Sequence, residues 1–266
     1  MATQLEVGPR TMSMGRVLSG TIEAIAGNPL RLLAIAFLLG GLPSALLSYA
    51  QQVAQVQATA GRISLLTMFG VMLTTIVLSM VFSVLMQGAL VRAALTAAEG
   101  RKATIAESLM TALSRLLPLT GVAIVVGLAV WFAAILLIVP GVILYQMWSV
   151  AAPAVVAERR GVFDAMSRSA ELTSGARWQV FALNLLLLVL LMVLGSVSSG
   201  AYLAIYGVQG MAGMAQAGIP LGFLVINAIP QTLAAVVMGT LPSVLYAELR
   251  QWKEGSSDTA LSDIFA

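Results

Sequence analysis

The fold is decided by residues 140–181, which read PGVILYQMWSVAAPAVVAERRGVFDAMSRSAELTSGARWQVF. A hydrophobic span follows the corner at Pro140-Gly141 and ends near Glu158. A short charged segment with helical, amphipathic spacing comes next, and a second hydrophobic span begins at Arg177. The rest of the chain repeats these parts, so the sequence predicts a succession of units, each made of one amphipathic helix and two apolar spans.

The composition predicts a membrane protein. Hydrophobic residues make up 59% of the chain and charged residues 9%, and the mean hydropathy is +0.97. An ordinary soluble domain has about 25% charged residues, and a soluble fold of this size could not bury so much apolar surface. The chain has no cysteine and no histidine. This excludes disulfides, thiolate nucleophiles, histidine bases and the usual zinc or haem ligands.

We therefore expect an all-α polytopic membrane protein with six transmembrane helices. The spans are expected at residues 29–49, 64–92 (continuing as helix to 98), 118–138, 141–157, 178–203 and 219–246. Amphipathic helices are expected at 13–27, 104–116 and 161–174, and their order predicts a degenerate threefold repeat of parallel units. The transmembrane domain would cover residues 13–250, and a polar tail would cover 251–266.

Local signals mark the ends of these elements. Thr104 and Glu107 have the spacing of a capping box, and Gly175 lies where a helix stop favours a left-handed residue. Asp164 and Arg168 are four residues apart and are expected to form an exposed ion pair, which Glu171 extends. Pro43 is expected to kink span one, and Pro140-Gly141 is expected to form a tight hairpin. Span six is expected to be interrupted at Pro230 and Pro242, and a Gly- and Met-rich loop is expected at 206–218.

The distribution of charge predicts the orientation. Thirteen of the 14 basic residues fall on one side of this topology, together with all 11 acids, and only Arg62 falls on the other. By the positive-inside rule both termini are cytoplasmic. We expect the chain to lie in a bacterial inner membrane.

A set of residues in the central stretch carries a family resemblance. They are Pro140-Gly141, Trp148, Pro153, Glu158, Ala165, Arg168-Ser169, Leu172-Thr173, Gly175, Arg177-Trp178 and Phe181. Together with Asn28-Pro29, the run LYAELR at 245–250 and Lys253-Glu254-Gly255, they resemble the membrane domain of the glycerophosphoryl diester phosphodiesterase family and its stand-alone bacterial relatives. The likeness covers residues 13–255. In the enzymes of that family a separate catalytic barrel follows and uses histidines, so the resemblance implies a membrane module without that activity.

One candidate site lies beside the third amphipathic helix. Its residues are Arg159, Arg160, Asp164, Arg168, Arg177 and Trp178. They are interpreted either as a contact for lipid headgroups or a protein partner, or as a solvated helix face with arginines and a tryptophan that fix the depth of span five. The second interpretation is favoured.

A second set consists of polar residues within the spans. They are Gln87, Gln146, Asn184, Asn227 and Gln231. They could line a polar path, or they could form hydrogen bonds between helices, which is the favoured interpretation. Gln231 could also satisfy the carbonyl that Pro230 leaves without a donor. No charged residue is expected at mid-membrane, which argues against an ion-coupled transporter.

The sequence favours no cofactor, no metal and no catalytic site. Met211 and Met214 could bind a soft metal, but no cysteine or histidine accompanies them. The first functional hypothesis is therefore a non-enzymatic scaffold or accessory protein that contacts anionic phospholipid at its cytoplasmic face, without a nucleic-acid partner. The alternative is a transporter or flippase-like conduit for a lipid or small amphiphile. A conduit requires a polar cavity that reaches Asn227 and Gln231, whereas a scaffold would bury them in dry helix contacts.

The orientation is tested by cysteine labelling, for which this cysteine-free chain is a ready background. In intact cells an impermeant thiol reagent should modify Gln55→Cys and should not modify Ser257→Cys. The opposite pattern would invert the topology.

Overall fold

The computed structural model of the chain describes the backbone of residues 12–98, 104–217 and 221–264, and their side chains except at 98, 198, 202, 206, 208–217, 221–227 and 256–264. This part of the chain is helical throughout, without strands. The helices are α1 Met14–Gly27, α2 Pro29–Ala36, a π-helical turn Phe37–Gly41, α3 Leu42–Thr59, α4 Leu65–Ala98, α5 Ile105–Ser114, α6 Leu116–Leu136, α7 Ile138–Trp148, α8 Ala151–Glu158, α9 Val162–Thr173, α10 Arg177–Ala217 and α11 Leu221–Ile264.

Six stretches of helix within the described residues are long and apolar enough to cross a membrane. They are Pro29–Thr59, Leu65–Ala97, Leu116–Leu136, Ile138–Glu158, Arg177–Ile205 and Ala228–Gly255. The chain is an all-α polytopic membrane protein, as predicted. The short helices α1, α5 and α9 precede the first, third and fifth spans, and we call the end of the bundle where they lie the charged end.

The first span is longer than predicted and has a defined irregularity. The N–H of Leu42 bonds to the carbonyl of Phe37, five residues back, so the helix widens to a π-helical turn just before Pro43. Proline cannot donate to the helix ladder, and a wider turn accommodates that loss. Helix α3 then continues to Thr59, so most of the expected loop at 51–62 is helical.

The turn between spans three and four is not at Pro140-Gly141, where it was predicted. The chain reverses at Leu137, whose backbone is extended with φ −159° and ψ 135°. Pro140 lies in the first turn of α7, where a missing N–H costs nothing. Gly141 lets α7 approach α6 closely, because a Cβ there would stand 2.9 Å from the Cβ of Ala134.

Two predictions about the last spans are also corrected. Helix α10 continues through the backbone of the expected loop at 206–218 as far as Ala217, with one break at Gly207, where φ is 66°. Helix α11 contains Pro230 and Pro242 without ending at either. Hydroxyl groups return to the helix backbone beside both prolines, from Thr232 to the carbonyl of Ala228 at 2.6 Å and from Ser243 to that of Gly239 at 2.7 Å.

Helix α11 organises the bundle, because it contacts α1, α2, α3, α4, α8, α9 and α10. It also crosses the expected domain boundary at residue 250 without a break and is helical to Ile264. Residues 251–255 therefore extend the last span, and they pack on α9 instead of forming a separate tail.

The amphipathic helices expose many of their large apolar residues, although Val17 of α1 and Leu172 of α9 are fully buried. In α5 the buried positions are Ser108 and Ala112, whereas Leu113 is 52% exposed. In α9 Phe163 is 74% exposed. Small residues let helices approach one another closely, as is usual in membranes, and the large side chains remain on the outer surface.

Candidate functional site

A cluster of charged side chains joins three helices at the charged end. Its members, which we call the charged cluster, are Glu158, Arg160, Arg168, Glu171, Tyr246, Arg250 and Glu254. They come from α8, α9 and α11 and the residues that follow α8. Three acids and three arginines balance in charge, so the cluster is neutral as a unit.

Glu158, at the end of α8, is one centre of this cluster. Its Oε1 accepts hydrogen bonds from the Tyr246 hydroxyl at 2.6 Å and from Arg168 Nε at 2.9 Å, and its Oε2 accepts one from Arg160. The side chain is only 12% exposed. A carboxylate so far from water needs such partners to remain ionised.

Arg168, in α9, is the other centre and is also 12% exposed. Besides Glu158 it pairs with Glu171, at 3.2 Å, and with Glu254 of α11. Burial by itself would lower the pKa of Arg168, but its hydrogen bonds to the three carboxylates raise that pKa above the ordinary arginine value. The guanidinium therefore stays charged and holds α8, α9 and α11 together.

The end of α9 is closed by residues beyond the expected domain boundary. Gly175 has φ +85°, which confirms the left-handed stop predicted from the sequence. Lys253 Nζ donates to Ser174 Oγ at 2.6 Å and to the carbonyl of Glu171. The carbonyl of Glu171 also accepts from the N–H and the hydroxyl of Ser174, so Lys253 adds a further donor at the negative end of the helix dipole. The ring of Trp252 lies against Gly175.

Ser169, in the second half of α9, supports a break in the fourth span. Pro153 prevents α7 from continuing into α8, because its ring would clash with the carbonyl four residues earlier. The buried Ser169 bridges the break: its hydroxyl donates to the carbonyl of Met147 at 2.8 Å and accepts from the N–H of Val150 at 3.3 Å. Backbone groups that would be unpaired in a dry environment are thereby satisfied.

A separate ion pair attaches α1 to α11. Arg16 lies 2.6 Å from Oε1 of Glu248, and the backbone N–H of Ser13 also donates to that oxygen at 3.4 Å. The hydrogen bond to Glu248 raises the pKa of Arg16. On α5, the capping box of Thr104 and Glu107 is present as predicted.

The residues of the first candidate site divide into two groups. Arg160 and Arg168 belong to the charged cluster, and the expected partner Asp164 is exposed and is not among the carboxylates that bind Arg168. Arg159, with a left-handed φ of 54°, and Arg177 are exposed, and neither pairs with an acid in the described part of the chain.

Trp178 belongs with the exposed group. It is 83% exposed at the start of the fifth span, and its ring meets that of Phe181 edge to face at 6.1 Å. An exposed tryptophan at the end of a span is typical of the membrane–water interface.

The amides within the spans also divide. Asn184 Nδ2 donates to Gln146 Oε1 at 2.6 Å, so these two form the hydrogen bond between helices that the favoured interpretation predicted. Gln231 forms no such bond. Its side chain is exposed and has no hydrogen-bond partner among the residues that the structure describes, so it does not satisfy the carbonyl of Ile226 as suggested. The side chain of Asn227 lies outside the described residues, and so do those of Met211 and Met214.

Two cavities lie against α10. A groove of about 340 Å³ runs between α6, α7 and α10 and contains the Gln146–Asn184 pair. A second cavity of about 410 Å³ contains Gln231. Leu191 and Met238 line both, so the two adjoin. The serine hydroxyls around the second cavity donate to backbone carbonyls of their own spans. Among the described residues that line this cavity, the Gln231 amide is therefore the polar side-chain group without a hydrogen bond.

Comparisons with known proteins add nothing to this geometry: no family model, no curated protein and no solved structure matches the chain. The resemblance drawn from the sequence is thus neither supported nor contradicted by them.

Glu158 and Glu254 are among the residues that carry the family resemblance, but their ion-pair partners were not predicted from the sequence. Glu158 lies ten residues before Arg168 and Glu254 eighty-six after it. One signal could have indicated the first contact: Glu158 is the acid at the end of an apolar span, where an unpaired carboxylate is costly.

Loss of the Glu158 charge tests the charged cluster. Glu158→Gln keeps the size of the side chain but weakens its bonds to Arg168 and Arg160. We expect it to lower the free energy of unfolding in detergent by about 1–3 kcal/mol, because hydrogen bonds to charged groups contribute that much. The matched change Asp164→Asn, at an exposed acid outside the cluster, should shift it by less than about 0.5 kcal/mol. Equal stability of the two variants would show that the cluster does not hold the helices.

Proposed function

We propose that this chain is a non-enzymatic module of the bacterial inner membrane, a scaffold or accessory protein that holds anionic phospholipid at its cytoplasmic face. The observation that carries the proposal is the exposure of Arg159 and Arg177, with Trp178 next to Arg177 at the start of the fifth span. A stand-alone relative of the membrane domain named above would be such a module.

Ion pairs within the protein support this proposal, because they neutralise four other arginines at the charged end. Arg16, Arg160, Arg168 and Arg250 each have a carboxylate within the protein, so their charge is already used. Arg159 and Arg177 have none among the described residues. Arginine presents a planar fork of donors that fits phosphate oxygens. The cytoplasmic leaflet is the anionic one, and each basic residue near it gains about 1 kcal/mol.

The double variant Arg159→Gln/Arg177→Gln tests the lipid contact. Purified protein should retain phosphatidylglycerol or cardiolipin over phosphatidylcholine, measured by native mass spectrometry in mixed-lipid micelles. Removing two such arginines should lower that preference about thirtyfold, from about 1 kcal/mol for each. Arg62→Gln, on the opposite side of the membrane, should leave it unchanged. A double variant with the preference of the native protein would refute the proposed contact.

A second candidate function is a conduit for a lipid or small amphiphile, and one observation favours it. Gln231 lines a cavity that adjoins the groove at Leu191 and Met238, so a polar amide faces a space next to that groove. The exposed Gln231 departs from the dry helix contacts expected of a scaffold. A conduit that admits water would hydrate this amide, whereas in a scaffold acyl chains would fill the cavity.

Thiol accessibility separates these two functions. In a conduit, a small charged methanethiosulfonate reagent should modify Gln231→Cys in membranes at a rate well above that of Leu233→Cys, which lines a wholly apolar groove on the same helix. Equal, negligible modification of both would exclude a water-filled path and leave the scaffold.

A further inference from the structure

The groove beside α10 has the form of a binding site for a single lipid. Its walls are α6, α7 and α10, and its lining is almost entirely apolar. Helix α10 packs mainly on α11, with smaller contacts with α7 and α3. Met238 of α11 also lines the groove, and its remaining side is open toward the surrounding membrane.

Arg177 lies on the face of α10 that lines this groove. Counting from Arg177, the lining positions Phe181, Asn184, Leu188 and Leu191 follow at intervals of four, three, four and three residues. This spacing keeps all five on one side of a helix. The free guanidinium of Arg177 thus stands at the charged end of the same groove.

The length of the groove matches one leaflet. The rise from Phe181 to Leu191 along α10 is about 15 Å at about 1.5 Å per residue, and the hydrocarbon core of a bilayer is about 30 Å thick. Because α10 begins at the charged end, this length lies in the leaflet next to Arg177. An acyl chain that begins at the headgroup level would fill the groove and reach the adjoining cavity at Leu191.

The amide pair offers further polar contacts. The side-chain amides of Gln146 and Asn184 share one hydrogen bond, and neither amide makes another within the described chain. Each amide group has two donor hydrogens and an acceptor oxygen, so donors remain for the ester oxygens of a glycerolipid. Fully apolar occupants would leave those donors unpaired.

We infer that this groove binds one anionic glycerophospholipid of the leaflet next to the charged end, with its phosphate on Arg177 and an acyl chain along Phe181, Leu188 and Leu191. The inference rests on the proposed lipid contact and gives it a location. It differs from a general attraction between a basic surface and anionic lipid, because a shaped groove retains one molecule whereas a surface exchanges many.

The test is retention of a single lipid by the full chain after stepwise delipidation, followed by native mass spectrometry with phosphatidylglycerol and phosphatidylcholine as probes. The native protein should keep one phosphatidylglycerol after the other lipids have left. Leu188→Trp fills the groove and should abolish that retention for both probes. Leu186→Trp, equally exposed on α10 but outside the lining, is the matched control and should keep the lipid.

Arg177→Gln examines the headgroup. It should still retain one lipid, but the ratio of phosphatidylglycerol to phosphatidylcholine in the groove should fall about fivefold. If the Leu188→Trp variant keeps its lipid as the Leu186→Trp variant does, the proposed binding in the groove is wrong. If the ratio of the two lipids is unchanged in Arg177→Gln, the proposed phosphate contact is wrong. Leu188→Phe, a smaller change with partial loss expected, replaces the tryptophan variant if thermal unfolding shows that Leu188→Trp does not fold.

Failure of the proposed groove site can be distinguished from failure of the proposed function. If the double arginine variant loses its overall lipid preference but Leu188→Trp behaves as its control, the anionic contact stands and the groove is wrong. If the native protein shows no anionic preference at all, the proposed function fails, whatever the groove retains.

Discussion

The structure depends on one buried guanidinium. Arg168 cannot give up its proton in a protein, and at 12% exposure it cannot rely on water. It therefore needs carboxylates, and they come from three places: the end of α8, its own helix α9 and the far end of α11. Because the three must converge on one group, the positions of α8, α9 and α11 are coupled, and α11 has to remain helical as far as Glu254 to bring that carboxylate into reach.

The sequence predicted well what depends on local physics. The number and order of the spans follow from hydropathy, because a bilayer requires about 20 apolar residues for each helix. The capping box at Thr104 and the left-handed Gly175 are equally local, since each is defined within one turn. The hydrogen bond between Gln146 and Asn184 also follows from a general cost, that of a polar group left unpaired in hydrocarbon.

The predictions that failed depend on tertiary contacts. Pro140-Gly141 looks like a corner, but proline is equally suited to a first helical turn, and the packing of α6 on α7 decides between them. Asp164 has the right spacing to pair with Arg168, but an exposed pair gains little, and the less exposed Glu158 gains more.

The arginines of this chain show that a topological signal and a binding surface are different things. All basic residues contribute to orientation, whether paired or not, because the positive-inside rule counts lysines and arginines and gives little weight to acids. By contrast, an arginine attracts a phosphate strongly only where no carboxylate of the protein neutralises its guanidinium charge. Among the residues of the first candidate site this condition holds for Arg159 and Arg177, and only Arg177 begins a helix whose side faces an open groove. The surface able to select a lipid is thus much smaller than the set of basic residues that sets the orientation. It lies along α10, which has few contacts with the rest of the bundle.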